Sequence, residues 1–180
     1  TQYIDTAVGD SASKNIIFIL LESALSFPVG EVIDGVEVTP NLNALLHESG
    51  TYYNGKCNEN IGIGASFDGQ FIYHTGLLPL IGKLTSTFVV NNDLKAFPLS
   101  LKEKYGIQSA IMAIPTGPGM WRQEEMCRLY GYDLLLSAET IGKAIGEGGE
   151  WIDLNDSLLV NLLIDNSEEM FSEPPFLHTA

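Results

Sequence analysis

Positive charge is scarce in this chain. Its 180 residues carry 9 Lys and Arg against 23 Asp and Glu, which gives a formal net charge of -14 at pH 7. At long range such a chain repels polyanions, which argues against nucleic acid as a partner. The acidity indicates a solvated surface or, alternatively, a site that depends on a bound cation.

Cysteines and long apolar runs are also rare. Cys57 and Cys127 are the 2 cysteines, and neither has a close metal-type neighbour, so one disulfide and two free thiols both stay open. The longest aliphatic and aromatic run, residues 16–21, is far shorter than the roughly 20 residues of a membrane-spanning helix. The chain starts at Thr1 without a signal-peptide pattern, which indicates a processed product or a piece of a longer protein.

What the sequence does contain is an alternation of helix and strand signals after a polar lead-in over residues 1–14. The pattern predicts a strand buried on both faces at 15–21, a loop or hairpin at 26–39, an extended segment at 51–53, helices at 40–48, 98–105, 121–129 and 158–164, and strands at 107–114 and 175–179. Such alternation favours a mainly parallel sheet with helices on both faces, and the chain ends inside an element.

One short stretch, GIGASFDGQF at residues 62–71, places Ser66 between glycines and a predicted helix start. Free backbone N–H groups and the positive end of the helix dipole would hold an anion beside this hydroxyl. Gly62 and Gly64 would let the backbone turn tightly and approach the bound group. The alternative is a plain N-cap with Asp68 in the first turn, and the local sequence alone favours that alternative.

Five blocks occur in a fixed order: NIIFILLES, VTPNLNALLHESGTYYNG, GIGASFDGQF, FPLSLKEKYGIQSAIM and LYGYD. From about residue 15 onward they resemble the lipoteichoic acid synthases and related phosphoglycerol transferases, in the sulfatase branch of the alkaline phosphatase superfamily. The resemblance implies an α/β fold, an alkaline-phosphatase-like three-layer sandwich with a mainly parallel sheet. Residues 1–180 would be the amino-terminal portion of one such catalytic domain, with its carboxyl-terminal part missing.

The resemblance also assigns a nucleophile and metal ligands. Ser66 matches the nucleophile, which is Thr in lipoteichoic acid synthases, and Glu22 and Ser66 match ligands of a divalent metal ion. Glu22 follows a predicted parallel strand, where open α/β sheets place ligand sites, although a solvated strand end is the local alternative. Oxygen ligands do not select between Mn²⁺, Mg²⁺ and Zn²⁺. We expect the two side chains to converge, and an Asp-His pair beyond Ala180 to complete the site.

Trp121 and Arg122 match the family's substrate-binding Trp and Arg. The family places its Arg one position later, where this chain has Gln123. Successive helical residues differ by about 100° around the helix axis, so the shift puts Arg122 in doubt. An exposed Arg122 and a core Trp121 are the alternatives. His47 and His74 are interpreted as structural or exposed rather than catalytic.

The implied function is metal-dependent transfer of a phosphoglycerol-type group from a phospholipid-type donor to a glycolipid or glycan acceptor, through a covalent phosphoserine. A formylglycine sulfatase would need Pro and Arg where this chain has Asp68 and Gln70. The alternatives are a family hydrolase acting on sulfuric esters or phosphodiesters, and a degenerate, non-catalytic module that binds a headgroup or glycan. The resemblance further implies an extracytoplasmic enzyme, tethered to the membrane by segments absent here, and a fragment that is nearly inactive alone.

Overall fold

The computed structural model describes residues 15–56, 60–144, 154–170 and 176–179. They fall into two compact units, one made of the described residues among 15–20 and 61–179 and the other of those among 21–56 and 60. The strands are β1 Ile16–Phe18, β2 Val32–Ile33, β3 Val36–Glu37, β4 Ser109–Ala113, β5 Leu134–Leu136 and β6 Phe176–Thr179. The helices are α1 Pro40–Leu46, α2 Ser66–Thr75, α3 Thr85–Val89, α4 Phe97–Tyr105, α5 Gln123–Tyr130, α6 Ala138–Ala144, α7 Asp156–Asp165 and α8 Ser167–Met170.

A four-stranded sheet is the centre of the larger unit. Its order is β1-β6-β4-β5, and every pairing in it is parallel. In the strand register, Ile111 of β4 is paired with His178 of β6 on one side and with Leu134 of β5 on the other. Parallel neighbours need crossover connections, which here contain the helices. The mainly parallel sheet predicted from the alternation of elements is confirmed.

The side chains of β4 alternate between two cores. Ala110 and Met112 belong to a core shared with α2 and α5, whereas Ala113 belongs to a core shared with α6 and α7. Because successive strand residues point to opposite faces, the two cores lie on opposite sides of the sheet. Helices therefore cover both faces, as a three-layer sandwich requires. The first core contains Phe67, Phe71, Ala96, Ile107, Ala110, Met112, Ile114, Met126, Cys127, Tyr130, Tyr132 and Leu177, and the second Ala113, Ala138, Ile141, Leu154 and Leu159.

The first strand differs from its prediction. We expected a strand over residues 15–21 that is buried on both faces, but β1 covers only Ile16–Phe18. Among the described residues it pairs with β6 alone, so it lies at the edge of the sheet. Ile17 and Ile19 are 58% and 66% exposed. The apolar run predicts a strand that is covered on all sides. In the described part of the chain, one side of this strand is uncovered.

Most other elements lie where the sequence places them. Helices α1, α4 and α7 and strands β4 and β6 fall on predicted segments, and Gly106 ends α4 in the left-handed conformation at φ 65. Residues 51–53, predicted as extended, do not form a strand in the structure. Helices α3, α6 and α8 and strand β5 are not among the predictions from sequence.

The smaller unit contains the β2–β3 hairpin and α1. Asp34 and Gly35 turn the hairpin with φ values of 51 and 82, which confirms the predicted hairpin chemistry. Asn43 of α1 is buried, and its side-chain oxygen accepts from the Gly30 N–H at 2.8 Å. The Thr39 hydroxyl also donates to that oxygen, at 2.9 Å, so Thr39 occupies the N-cap position without capping a helix amide.

Cys127 lies in the first core as a free, buried thiol. Burial raises the pKa of this thiol to about 12, which leaves it protonated and unreactive at neutral pH. Cys57, its possible disulfide partner in the sequence, lies outside the described residues.

Candidate active site

Ser66 is the first residue of α2, and the residue before it is in an unusual conformation. Ala65 occupies the N-cap position with φ 45 and ψ -121. A positive φ is rare for a residue with a Cβ, and such sparsely populated backbone costs on the order of 1–3 kcal/mol. Ala65 has no side-chain oxygen that could cap the helix. The plain N-cap interpretation of Ser66 is therefore wrong, because the hydroxyl sits one position inside the helix.

The amides at the start of α2 are less available than the sequence suggests. The Phe67 N–H donates to the Gly64 carbonyl at 2.9 Å, and the Asp68 N–H donates to the Ala65 carbonyl at 3.0 Å. The expectation that free N–H groups hold an anion beside Ser66 is wrong for these two amides. The positive end of the helix dipole remains, since it depends on the alignment of the peptide groups.

The core fixes the rest of α2. Phe67 and Phe71 are 0% and 2% exposed, and each contributes about 1.5–3 kcal/mol through burial. Gly76 ends the helix in the left-handed conformation at φ 70. Ser66 itself is half-buried, so its position follows from a helix that the core holds in place.

Asp68 is the residue that the sequence analysis missed. Its side chain is 0% exposed, and its Oδ2 accepts from the N–H groups of Gly62 at 2.8 Å and Gly64 at 3.1 Å. Its Oδ1 accepts from the Thr85 hydroxyl at 3.2 Å. In the sequence, Asp68 stands out only as an acid in the first helical turn and as a departure from the formylglycine signature. The signal that could have revealed the bonds is an Asp that follows two glycines at a distance of four to six residues.

Glu22 lies in the smaller unit, four residues beyond the last residue of β1. Its side chain is exposed, and the following residue, Ser23, has φ 57. Because Glu22 and Ser66 belong to different units, their convergence stays a prediction. In the parts of the chain that the structure describes, no three side chains of His, Cys, Asp or Glu gather into a metal-binding group.

Trp121 and Arg122 do not lie in an α-helix. They belong to a 3-10 turn, Met120–Arg122, and both are left-handed, with φ values of 52 and 58. The predicted helix over residues 121–129 therefore starts two residues late, at Gln123. The helical offset of about 100° does not describe the relation between residues 122 and 123, because Arg122 is not helical.

The side chains of Trp121, Arg122 and the following Gln123 differ in their packing and hydrogen bonds. Trp121 packs partly buried against the first core, as its structural alternative requires. The Nε and Nη2 of Arg122 donate to Glu125 Oε1 at 3.0 and 2.8 Å, and these bonds lower the pKa of the Glu125 carboxyl. Gln123 is 4% exposed, and its Oε1 has no hydrogen-bond partner among the described residues.

Helix α3 connects the start of α2, which carries Ser66, with the turn that carries Trp121 and Arg122. Its first residue, Thr85, bonds to Asp68, and the helix also contacts the turn that carries Trp121 and Arg122. Both predicted substrate residues and the predicted nucleophile thus belong to segments that touch the same short helix. All of these residues lie within the larger unit.

His74 is a core residue, in agreement with its interpretation as structural. Its Nδ1 contacts the Gln70 carbonyl at 2.7 Å and must donate there, so Nε2 accepts from the Tyr132 hydroxyl at 2.8 Å. The oxygen of that hydroxyl in turn accepts from Thr179 at 2.6 Å. Burial lowers the pKa of His74 to about 4, so the imidazole is neutral at neutral pH.

Comparison with characterised proteins identifies the relationship. Lipoteichoic acid synthase 2 of Bacillus subtilis (strain 168) is 34% identical over 125 residues, which are 69% of this chain and 19% of that protein. Lipoteichoic acid synthase 1 of the same strain is 29% identical over 158 residues, 86% of this chain and 22% of that protein. The chain is lipoteichoic acid synthase-like. The resemblance carried by the five sequence blocks is confirmed.

The lipoteichoic acid synthase LtaP from Listeria monocytogenes shares the fold of this lipoteichoic acid synthase-like chain. The two match with a TM-score of 0.78 and 18% identity, over 92% of this chain and 39% of LtaP. An identity this low supports the fold alone. The predicted alkaline-phosphatase-like α/β fold is confirmed.

The lipoteichoic acid synthase-like chain spans about a fifth of the length of the curated relatives it matches, 19% and 22% for the two Bacillus proteins. No protein-family model matches it. None of the helices in the described ranges combines the length and the apolar character that a membrane span needs.

Proposed function

We propose that this chain is the amino-terminal portion of a sulfatase-family catalytic domain that transfers a phosphoglycerol-type group from a lipid donor. The observation that carries the proposal is the position of Ser66, directly after Ala65 with its positive φ and at the start of a helix that the core holds. Strained backbone of this kind is concentrated at functional sites. The similarity to lipoteichoic acid synthases supports a transferase that acts in building the cell envelope.

Ser66 is the nucleophile of the proposed reaction. Its oxygen attacks the phosphorus of the donor, the bond from phosphorus to the lipid alcohol breaks, and the serine proton passes through solvent to the departing alcohol. The product is a phosphoserine ester. The hydroxyl of the acceptor then attacks the same phosphorus, the bond to Ser66 breaks, and the acceptor proton returns to the Ser66 oxygen.

Glu22 and Ser66 would hold a divalent ion, Mn²⁺, Mg²⁺ or Zn²⁺. Their oxygens are suitable ligands in kind, but two protein ligands are fewer than the three of typical catalytic zinc sites. We place the remaining ligands after residue 180. When bound, the ion would make the serine hydroxyl more acidic and offset negative charge on the phosphoryl oxygens.

Trp121 and Arg122 would bind the phosphate or glycerol part of the substrate. An Arg guanidinium is suited to phosphate oxygens because its N–H donors are fixed in one plane. The positive end of the α2 dipole would add to this attraction. The amides of Phe67 and Asp68 play no part in the proposal, because they bond to carbonyls within the turn.

The proposed partners are a phospholipid-type donor and a glycolipid or glycan acceptor. A lipid donor and an envelope polymer place the reaction outside the cytoplasm, at a membrane surface. We assign membrane anchoring to further segments of the full-length protein.

The proposal is tested with Ser66→Ala in the full-length protein. We expect turnover of a phosphatidylglycerol donor to fall by about a thousandfold or more, because removing a nucleophile removes the covalent route. The variant should lose covalent labelling from donor that carries a radioactive phosphoglycerol group, and should keep its melting temperature. Ser100→Ala is the matched control, because Ser100 is also a half-buried helical serine in the larger unit. Unchanged turnover in Ser66→Ala would remove Ser66 from the mechanism.

Product analysis separates the alternatives. With a glycolipid acceptor present, a transferase yields the phosphoglycerol-modified glycolipid, whereas a hydrolase yields free glycerol phosphate. Binding of the headgroup without turnover or labelling in the unmodified protein would identify a non-catalytic module. Residues 1–180 alone should be nearly inactive, and robust metal-dependent turnover by them would contradict the assignment of further ligands to later residues.

A further inference from the structure

The carboxylate of Asp68 is buried, and hydrogen bonds surround it on two sides. Two of its three donors are the backbone amides of Gly62 and Gly64, and the third is the Thr85 hydroxyl. Among the described residues, no Lys, Arg or His forms an ion pair with it. A buried charge without an ion-pair partner depends on such hydrogen bonds, so all three contacts are costly to lose.

The two amides belong to the turn that leads into Ser66. Between them and α2 lies Ala65, the residue with the positive φ. A strained alanine persists only where its surroundings fix the backbone more strongly than the strain opposes it. The hydrogen bonds that the Gly62 and Gly64 amides donate to Asp68 hold the chain just before this alanine. The buried Phe67 holds the chain just after it.

Gly62 and Gly64 provide space for the Asp68 carboxylate and do not serve an unusual backbone angle. Neither Gly62 nor Gly64 is among the glycines with positive φ. A Cβ at Gly64 would overlap the Asp68 carboxyl group, and one at Gly62 would lie 3.3 Å from its Oδ2. The space beside both glycines is therefore filled by Asp68, and their predicted approach to a bound group stays a prediction.

Thr85 fixes the other side of the carboxylate. Its hydroxyl donates to Asp68 Oδ1 and accepts the N–H of Leu80 at 3.0 Å, so its orientation is determined from both directions. Thr85 is 1% exposed and begins α3, the helix that contacts the turn carrying Trp121 and Arg122. The contact thus links the Ser66 turn to the turn of the predicted substrate residues.

We propose that Asp68, oriented by Thr85, is a positioning residue that holds the turn of residues 62–65 and thereby fixes the Ser66 oxygen for attack. The inference rests on the proposed function of Ser66. It assigns Asp68 no contact with substrate or metal. Its effect is exerted through the backbone, so loss of Asp68 should slow the chemical step more than it weakens substrate binding.

The test uses Asp68→Asn, Thr85→Val and Thr85→Ser in the full-length protein. Asn keeps the size of Asp but offers one acceptor oxygen for three donors, so we expect kcat to fall roughly ten- to hundredfold with KM within about twofold. Thr85→Val keeps the shape of Thr but removes its hydroxyl, and should lower kcat in the same direction. Thr85→Ser restores the hydroxyl and should recover most of that loss. Asp93→Asn is the matched control, because Asp93 is exposed and the charge change is the same.

A second measurement follows the turn itself. Amide hydrogen exchange of the peptide covering residues 61–66 should accelerate in Asp68→Asn and Thr85→Val, while peptides from β4 and α5 keep the exchange of the unmodified protein. This comparison separates a local loosening from a general loss of stability. It does not depend on whether the protein is a transferase.

Each result decides one point. If the 61–66 peptide exchanges faster but kcat is unchanged, Asp68 holds the turn without positioning Ser66, and the inference is overturned. If its exchange is unchanged, the hydrogen bonds do not hold the turn. Should Asp68→Asn fail to fold, equal kcat values in Thr85→Val and Thr85→Ser would overturn the inference. Full activity of Ser66→Ala would instead refute the proposed function, and the exchange data would still report on the turn.

Discussion

The imidazole of His74 lies flat against the ring of Tyr130, with ring centroids 3.9 Å apart and planes 5° apart. Phe97 and Tyr73 contact the same imidazole at 5.3 and 4.3 Å between ring centroids. Burial raises the pKa of the Tyr73 and Tyr130 hydroxyls, so both rings stay neutral over the acid range. A protonated imidazole would therefore place a charge in a site that offers it no carboxylate partner among these neighbours.

This packing predicts acid sensitivity. His74 has an ordinary pKa of 6.5 and a folded pKa of about 4. As pH falls from about 6.5 to about 4, the unfolded chain binds a proton before the folded chain does, so stability is lost across this window. The free energy of unfolding should fall by about 3 kcal/mol at pH 4 from this residue alone. Denaturant titrations at several pH values measure it.

The variant that checks the prediction is His74→Phe, which keeps an aromatic ring in the stack and removes the titration. It should show a flatter dependence of unfolding free energy on pH, whatever its stability at pH 7. His47→Gln is the control, because His47 is exposed. Equal acid sensitivity in His74→Phe and the unmodified protein would show that other groups cause the loss.

Gly131 supports a second prediction, because it closes α5 in the left-handed conformation at φ 92. A Cβ there would also overlap the Leu99 side chain of α4. Gly131→Ala should therefore combine backbone strain with overpacking and lower the free energy of unfolding by about 2–4 kcal/mol. Gly76→Ala is the matched control, since Gly76 closes α2 at φ 70 with nothing within 4 Å of the added Cβ. It should cost only about 1 kcal/mol, the strain alone. Equal losses in a thermal or denaturant titration would contradict the steric part of the argument.

The sequence predicts this fold well where the signals are local. Gly106, placed after an amphipathic run, marks the end of α4, and the apolar run around Ala110 marks β4, because caps and hydrophobic periodicity act over a few residues. Resemblance to a family, rather than local pattern, singles out Ser66. Its exact place one residue inside the helix depends on Ala65, whose positive φ no propensity predicts.

The features that the sequence does not reveal depend on distant contacts. Asp68 meets Thr85 seventeen residues later in the chain, and nothing in either local stretch indicates the pairing. Ile17 looks like a core strand residue, but its exposure depends on whether another element covers β1. The conformation of Trp121 and Arg122 likewise contradicts their local helical pattern, because the turn is fixed by its neighbours rather than by propensity.

The ion pair between Arg122 and Glu125 gives a test of the substrate role. Two nitrogens of the guanidinium donate to one oxygen of Glu125, and both side chains are 40% exposed. If Arg122 binds an anionic donor, Glu125 competes with that donor for the same guanidinium. Glu125→Gln should then lower KM by about twofold to fivefold, the range expected from an exposed ion pair. Arg122→Ala should raise KM, with a smaller effect on kcat.

A second ion pair, with both partners in α5, provides the control. Arg128 pairs with Glu124 one turn apart, and both side chains are exposed. Glu124→Gln and Arg128→Ala change the net charge as the test variants do, so they account for any general effect of charge on an anionic substrate. Steady-state kinetics at two salt concentrations compare the two pairs. If Arg122→Ala leaves KM at the value of the Arg128→Ala variant, Arg122 is only a surface ion-pair partner. The substrate role would then pass to other residues, because the family position one residue later holds the buried Gln123.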